Sequence, residues 1–296
     1  SNNDLGGTGG EDSTTGNTIF GYGAGGTIDA GTFNNTFIGH KSGNGSKADA
    51  TYNTAIGQNS LVSLTSGDFN TAIGARALLN VTGGTQNTAL GYYTGIAITT
   101  GEANIHIGTL SGEGNSGASQ LVGIGTDTFR VGAVHSDANG AVAIGFGAQR
   151  HITQGIGNVA VGFEALKVNT DGSYNTAIGH QALTAQAGQS GTVGNTAVGH
   201  GAAETITTSV NITALGFEAL SGATTEADGN TAIGFQSMDG NWTTAAHIKS
   251  VAVGGKTMRG VLTADSSGAV AIGYDALSAL TSGAANVAIG FEAGKE

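Results

Sequence analysis

The chain contains no cysteine and no proline. Without cysteine it can form neither a disulfide framework nor a thiolate metal site. Without proline it cannot be a collagen, and almost every backbone N–H group remains available as a hydrogen-bond donor. The absence of proline therefore favours a chain whose backbone donors are used in continuous ladders.

Charged residues are also scarce, at 10% of the chain, and the formal net charge is −11. Binding to nucleic acid depends on Lys and Arg, of which there are only 10, so nucleic acid is not an expected partner. No apolar run approaches the ~20 residues of a membrane-spanning helix, and no membrane insertion is expected. The first residues do not read as a secretory signal, so we expect any signal peptide to have been removed or to lie outside this segment.

Glycine is abundant, at 54 of 296 residues, more than twice the usual share of roughly 7%. Much of it belongs to one repeated motif, Asn-Thr/Val-Ala-Ile/Leu/Val-Gly, whose five residues we number as positions 1 to 5. The closing glycines are Gly21, Gly39, Gly57, Gly74, Gly91, Gly108, Gly125, Gly145, Gly162, Gly179, Gly199, Gly216, Gly234, Gly254, Gly273 and Gly290. A self-similar period of this length, here 17 to 20 residues, indicates a stacked array of similar units.

The motif predicts a short strand. Position 2 is β-branched and position 4 is large and apolar in every copy, as in Thr71 and Ile73. Because strand side chains alternate between two faces, positions 2 and 4 share one face and positions 1, 3 and 5 share the other. We expect the aliphatic face to be buried. The small Ala/Gly face is expected to contact another chain or another part of the same coil.

Each closing glycine is followed by two variable residues, a small residue and Leu or Met, and later by a Thr/Ser-x-Gly turn. The unit therefore predicts a strand, a bend at glycine, a second short strand and a polar turn. The resulting fold class is all-β, a parallel β-solenoid of about 16 rungs, where each rung is one coil formed by one repeat unit of 17–20 residues. It is expected to occupy residues 17–296 as a single repeat domain, preceded by a flexible Gly-rich arm at residues 1–16.

Two groups of residues are candidates for recognition. The residue after the closing glycine, position 6, is Phe, Tyr or His in many of the repeat units. Stacking of the units therefore predicts a ladder of stacked rings. This ladder is open to three interpretations: a sugar-binding strip, a metal site at the histidine pair, or stacking that seals a corner or a seam between chains. Inserted loops at 126–144, 180–198, 235–253 and 255–272 carry other unpatterned groups and are either recognition loops or tolerated insertions. The candidate residues are Phe146, Phe163, His180, His200, Phe217 and Phe235 in the ladder, and Arg130 and Trp242 in the loops.

No catalytic pattern is present: the chain has no Gly-x-Ser-x-Gly, no His-Glu-x-x-His and no phosphate-binding loop. We therefore predict that the chain is not an enzyme and needs no cofactor. The threonines at position 2 would form a regular column in the stack, as in an ice-binding surface. Ice binding is disfavoured, because position 2 lies on the face that is expected to be buried.

Units such as Asn53–Gly57 and Asn175–Leu183 resemble the head repeats of trimeric autotransporter adhesins and the Asn-Thr-Ala-Ile-Gly arrays of phage tail fibres. The resemblance covers residues 17–296 and implies a β-roll, left-handed in the adhesin heads, that assembles as a homotrimer. It implies a structural fibre or adhesin segment outside the cell or on a virion, with self-association as the main interaction. The alternative is a glycan-binding receptor-recognition module of a tail fibre. The rungs are longer than those of adhesin heads.

Overall fold

The computed structural model describes residues 15–26, 28, 31–45, 49–187, 190–223, 225–240 and 247–295. The chain is all-β. It is a β-solenoid with sixteen three-residue strands stacked in parallel, which confirms the predicted fold class. Contacts divide it into two compact units, one ending at Gly147 and one beginning at Ala148. The predicted flexible arm lies outside the described residues except for its last two.

Eight strands stack in the first unit, and each pairs in parallel with the next. They are β1 (Thr18–Phe20), β2 (Thr36–Ile38), β3 (Thr54–Ile56), β4 (Thr71–Ile73), β5 (Thr88–Leu90), β6 (Ile105–Ile107), β7 (Val122–Ile124) and β8 (Val142–Ile144). The register aligns equivalent positions, so that Ala55 pairs with Ala72. A short 3₁₀ helix, Ser136–Ala138, lies in the inserted loop before β8.

The second unit repeats this arrangement. Its strands are β9 (Val159–Val161), β10 (Gly172–Ser173), β11 (Thr176–Ile178), β12 (Gly191–Thr192), β13 (Thr196–Val198), β14 (Thr213–Leu215), β15 (Thr231–Ile233), β16 (Val251–Val253), β17 (Val270–Ile272) and β18 (Val287–Ile289). The two-residue strands β10 and β12 pair only with each other. A second 3₁₀ helix, Ala264–Ser266, lies in another inserted loop.

The face of the strands that is buried is the small one. Ala72 in β4 and Ala89 in β5 are fully buried, whereas Leu90 is 46% exposed. The expectation that positions 2 and 4 form the buried face is therefore wrong. The reason is that the chain returns beneath the Ala face and brings Leu78, from position 9, into the interior. The Ala face thus contacts another part of the same coil, as one of the two sequence alternatives had it.

Side-chain volumes at positions 3 and 9 compensate each other across this thin interior. Where position 3 is large, position 9 is glycine: Phe37 lies over Gly43, and a Cβ at Gly43 would be 2.5 Å from the Phe37 ring. Where position 3 is Gly123, position 9 is Phe129, which is fully buried. Interiors are close-packed, so a contact between two positions appears in the sequence as a large residue paired with a small one.

The segment after the closing glycine forms a turn, and the predicted second strand is wrong. Arg76 and Leu78, at positions 7 and 9 of one rung, have φ of 60° and 49°. The Arg76 N–H donates to Gln58 O of the preceding rung at 2.8 Å, and the Leu78 N–H donates to Thr94 O of the following rung at 3.0 Å. Residues with positive φ at positions 7 and 9 thus continue the backbone hydrogen bonds between successive rungs beyond the ends of the strands.

Asparagine at position 1 forms a buried ladder of its own. The Asn70 N–H donates to Asn53 Oδ1 at 2.9 Å, and Asn70 Nδ2 donates to Gly84 O at 2.8 Å. In the second unit, the Asn175 N–H and Asn175 Nδ2 both donate to Asn158 Oδ1, at 2.8 and 3.1 Å. An amide supplies both an acceptor and donors without charge. Asparagine therefore satisfies backbone groups on both sides of each rung.

Candidate interaction surfaces

The outward side of each sheet carries the aliphatic residues. Leu90, Ile178 and Leu215 at position 4 are 46%, 40% and 45% exposed. Position 2 is Thr, Val or Ile, and no charged residue occupies position 2 or position 4 in any of the sixteen motifs. Because the strands are in register, the position-4 side chains of each unit form a continuous apolar column, flanked by a column of β-branched residues at position 2. Contiguous exposed apolar surface of this kind marks an interaction site.

A ladder of rings lies beside these columns, as the sequence predicts. In the second unit, Phe163 stacks on His180, His180 on His200, His200 on Phe217 and Phe217 on Phe235, with centroid distances of 4.9, 4.9, 5.0 and 5.6 Å. The interplanar angles are 18° or less. Phe146, the ladder position after β8, is 43% exposed. The ring at position 6 is thus an outward side chain at the far end of the strand.

The stacked geometry limits what these rings can bind. His180, His200 and Phe217 each have a neighbouring ring on both faces, so only their edges meet solvent. Sugars stack against the faces of aromatic rings, where the π-electron density lies. The geometry favours the interpretation in which the rings seal a corner or a seam.

Metal binding at the histidine pair also meets a geometric obstacle. A neutral imidazole offers its lone pair in the plane of its ring. The planes of His180 and His200 differ by only 7°, and their centroids are 4.9 Å apart. Two nearly parallel planes do not converge on a common ion. Within the described part of the chain, no group of three His, Cys, Asp or Glu side chains could hold a metal.

The two loop candidates differ in what the structure shows. Trp242 lies outside the described residues. Arg130 Nε donates to Glu113 Oε2 at 3.0 Å, and its Nη1 donates to Asp127 Oδ2 at 2.9 Å. These hydrogen bonds raise the pKa of the Arg130 guanidinium above its ordinary value. Arg130 therefore ties its loop to the preceding rung.

His106 is a residue that the sequence reasoning missed. It occupies position 3 of β6, where most rungs have alanine, and it is fully buried. A Cβ at Gly112 or Gly123 would lie 2.6 or 2.7 Å from its ring, so these glycines create its space. Ser111 Oγ lies 3.4 Å from Nδ1. Burial lowers the pKa of His106 to about 4. The combination of a large position 3 with glycine at position 9 was the available signal.

His106 is expected to make the protein less stable in acid. The unfolded chain binds a proton below its ordinary pKa of 6.5, whereas the folded chain binds it only below about 4. The contribution of His106 to the free energy of unfolding should therefore be constant above pH 6.5, fall by about 3 kcal/mol as the pH drops to 4, and then level off. The variant His106→Phe copies the arrangement at Phe37 and should remove this component. Urea titrations of both proteins at pH 7 and pH 4.5 measure it, and equal losses in both would contradict the assignment.

Searches with this chain against family models, curated proteins and solved structures return no match. No helix among the described residues is long and apolar enough to cross a membrane.

Proposed function

We propose that this chain is a structural segment of a fibre or filament at a cell or virion surface, and that it associates with copies of itself through its outward sheet faces. One observation carries the proposal. In each unit, the large apolar side chains at position 4 are partly exposed in register along the stack, and some, such as Ile178 and Leu215, are 40% or more exposed. A monomer in water gains nothing from such an arrangement, whereas an assembly buries it.

The area available suits a stable interface. Strands about 4.8 Å apart and about 10 Å long give an eight-strand face of roughly 400 Å². The faces of the two units together therefore offer roughly 800 Å², which is about what one partner contributes to a standard stable complex.

A second copy is the occupant that fits this surface. The apolar columns repeat at the strand spacing, so a partner that fills the grooves between them must have the same repeat. A copy of the chain has it necessarily. The absence of charge at positions 2 and 4 also means that two like faces meet without repulsion, despite the net charge of −11.

The resemblance to adhesin heads and tail fibres supports the finer parts of the proposal: a left-handed coil, a homotrimer and an extracellular or virion location. It also supports a non-enzymatic role without a cofactor, nucleic acid or membrane insertion. The alternative, a glycan-binding module of a tail fibre, draws on the half-exposed rings. It has less support because the faces of the inner rings are covered.

The proposal predicts that the chain is an oligomer in solution. Three copies of the 28.9 kDa chain give about 87 kDa by light scattering. The variant Leu215→Lys places a charge on the outward face and should yield monomers with an unchanged far-UV circular dichroism spectrum, because a buried unpaired charge is costly. Gln154→Lys, at an exposed site outside the strands, is the matched control and should remain oligomeric. A monomeric wild-type protein would end the proposal.

A further inference from the structure

The residue before position 1 of the motif, which we number position 0, also lies on the outward side. Tyr52, Phe69 and Tyr174 occupy it, with φ of 57°, 58° and 62°. Their side chains are 54%, 55% and 54% exposed. Position 0 therefore borders the apolar columns at the start of the strand, as the ring ladder at position 6 borders them at its end.

In nine of the sixteen rungs, one of positions 0 and 6 is small where the other is large. All six rungs with glycine at position 0 have a ring at position 6. The pairs are Gly16 with Tyr22, Gly140 with Phe146, Gly157 with Phe163, Gly194 with His200, Gly229 with Phe235 and Gly268 with Tyr274.

The converse combinations also occur. Where position 0 is Phe69, position 6 is Ala75, and where position 0 is Lys249, position 6 is Gly255. Four rungs are exceptions, because a ring at position 6 accompanies a large residue at position 0: Asn34 with His40, Gln86 with Tyr92, Tyr174 with His180, and Asn211 with Phe217. Within the interior, the same large-with-small pattern joins positions 3 and 9, which are in direct contact. The pattern at positions 0 and 6 therefore points to a contact as well.

That contact does not exist within one rung. Six residue steps of nearly extended chain separate the two positions by roughly 20 Å. Along the stack, position 0 lies next to position 0 of the following rung: a Cβ at Gly157 would lie 3.3 Å from the ring of Tyr174. A Cβ at Gly255 would lie 3.3 Å from Tyr274, at position 6 of the next rung. A contact that explains the opposed side-chain volumes at positions 0 and 6 must therefore come from a second chain.

We infer that copies of this chain associate in parallel and in register, with the position-6 ring of one copy seated over position 0 of its neighbour at the same rung. If two copies are related by rotation about an axis parallel to the stacking direction, each rung contacts the same rung of the partner. The start of a strand in one copy then lies against the end of the equivalent strand in the other. A two-fold axis across the stack would bring different rungs together and lose the compensation. This inference rests on the proposed self-association and specifies its geometry.

A swap of bulk within one rung tests the inference. Gly157→Phe should collide with Phe163 of the neighbour, and Phe163→Ala should leave a gap. Each is expected to weaken the oligomer about tenfold, as loss of a central interface contact does. The double variant Gly157→Phe/Phe163→Ala recreates the Phe69/Ala75 combination and should return to within about threefold of wild type. Dissociation on dilution, followed by light scattering, measures all three.

A mismatched swap is the control. Gly157→Phe/Phe235→Ala changes the same residue types on different rungs and should lose about a hundredfold. The pair Asn211→Phe/Phe217→Ala repeats the matched test at a site where position 0 is not glycine, should Gly157→Phe fail to fold. Equal losses in matched and mismatched doubles, with the oligomer still present, would overturn the parallel register but leave self-association intact. A monomeric wild type would overturn both.

Discussion

Gly57→Ala is expected to lower the free energy of unfolding by roughly 3–5 kcal/mol, among the largest effects of a single methyl group in this chain. Gly57 closes the motif of β3 and has a φ of +133°, a region that L side chains rarely adopt. An added Cβ would lie 2.6 Å from Gly74 O and 2.7 Å from Gly74 C. Both contacts are with the backbone of the next rung, so relief would require the two rungs to separate. Urea unfolding followed by far-UV circular dichroism measures the loss.

Gly117→Ala is the control for this prediction. Gly117 has no atom within 4 Å of its ideal Cβ and does not have a left-handed φ. Alanine there should change stability by less than about 1 kcal/mol, in the stabilising direction, because it restricts the unfolded chain. Equal behaviour of the two variants would show that the contact between successive closing glycines does not limit the rung spacing.

The close approach of successive closing glycines, such as Gly57 and Gly74, explains why the number of rungs and the positions of their strands could be predicted from the sequence. A closing glycine is required wherever one rung lies on the next, so the glycines mark the rungs at their true period. The strand positions followed from the alternation of Thr71, Ala72 and Ile73, which the structure confirms as β4.

The inward face could not be predicted by the same reasoning. Alternation separates two faces but does not show which one is inside, and the larger aliphatic residues were assigned to the interior. The interior is decided by the returning segment, since Leu78 fills the space that Ala72 leaves. The pairings of Phe37 with Gly43 and of Gly123 with Phe129 contained this information, because only contacting positions need to compensate in volume. Ice binding was disfavoured because the threonines at position 2 were expected to be buried, and the structure places them on the outward face. That argument therefore no longer holds, but no observation in the structure favours ice binding over self-association.

The candidate site was predicted in part. The ladder from Phe163 to Phe235 follows from a ring at the same position of consecutive rungs, and the structure confirms the stacking. Whether a ring offers its face or its edge depends on its side-chain torsions, which a repeat pattern does not specify. Turn formation after the closing glycine was missed for a related reason. Residues such as Arg76 and Leu78 give no local signal for the positive φ that the ladder imposes on them.

Asn70→Ala is expected to cost roughly 3–5 kcal/mol, because it removes one amide from the middle of a buried ladder. Gly84 O would lose the Asn70 Nδ2 donor at 2.8 Å, and the Asn87 N–H would lose its acceptor, Asn70 Oδ1, at 3.0 Å. Asn53 Oδ1 would also lose one of its two donors. Asn70 is fully buried, so water cannot replace these partners without opening the rung.

Asn80→Ala is the matched control, since Asn80 is exposed in the turn of the same rung. It should change the free energy of unfolding by less than about 0.5 kcal/mol. Asn70→Asp separates hydrogen bonding from shape, because a carboxylate keeps the acceptor but has no donor for Gly84 O. It should be at least as destabilising as alanine at pH 7 and should recover in acid, where the protonated carboxyl can donate. If Asn70→Ala cost no more than Asn80→Ala, the ladder would be a consequence of the stacking and not one of its causes.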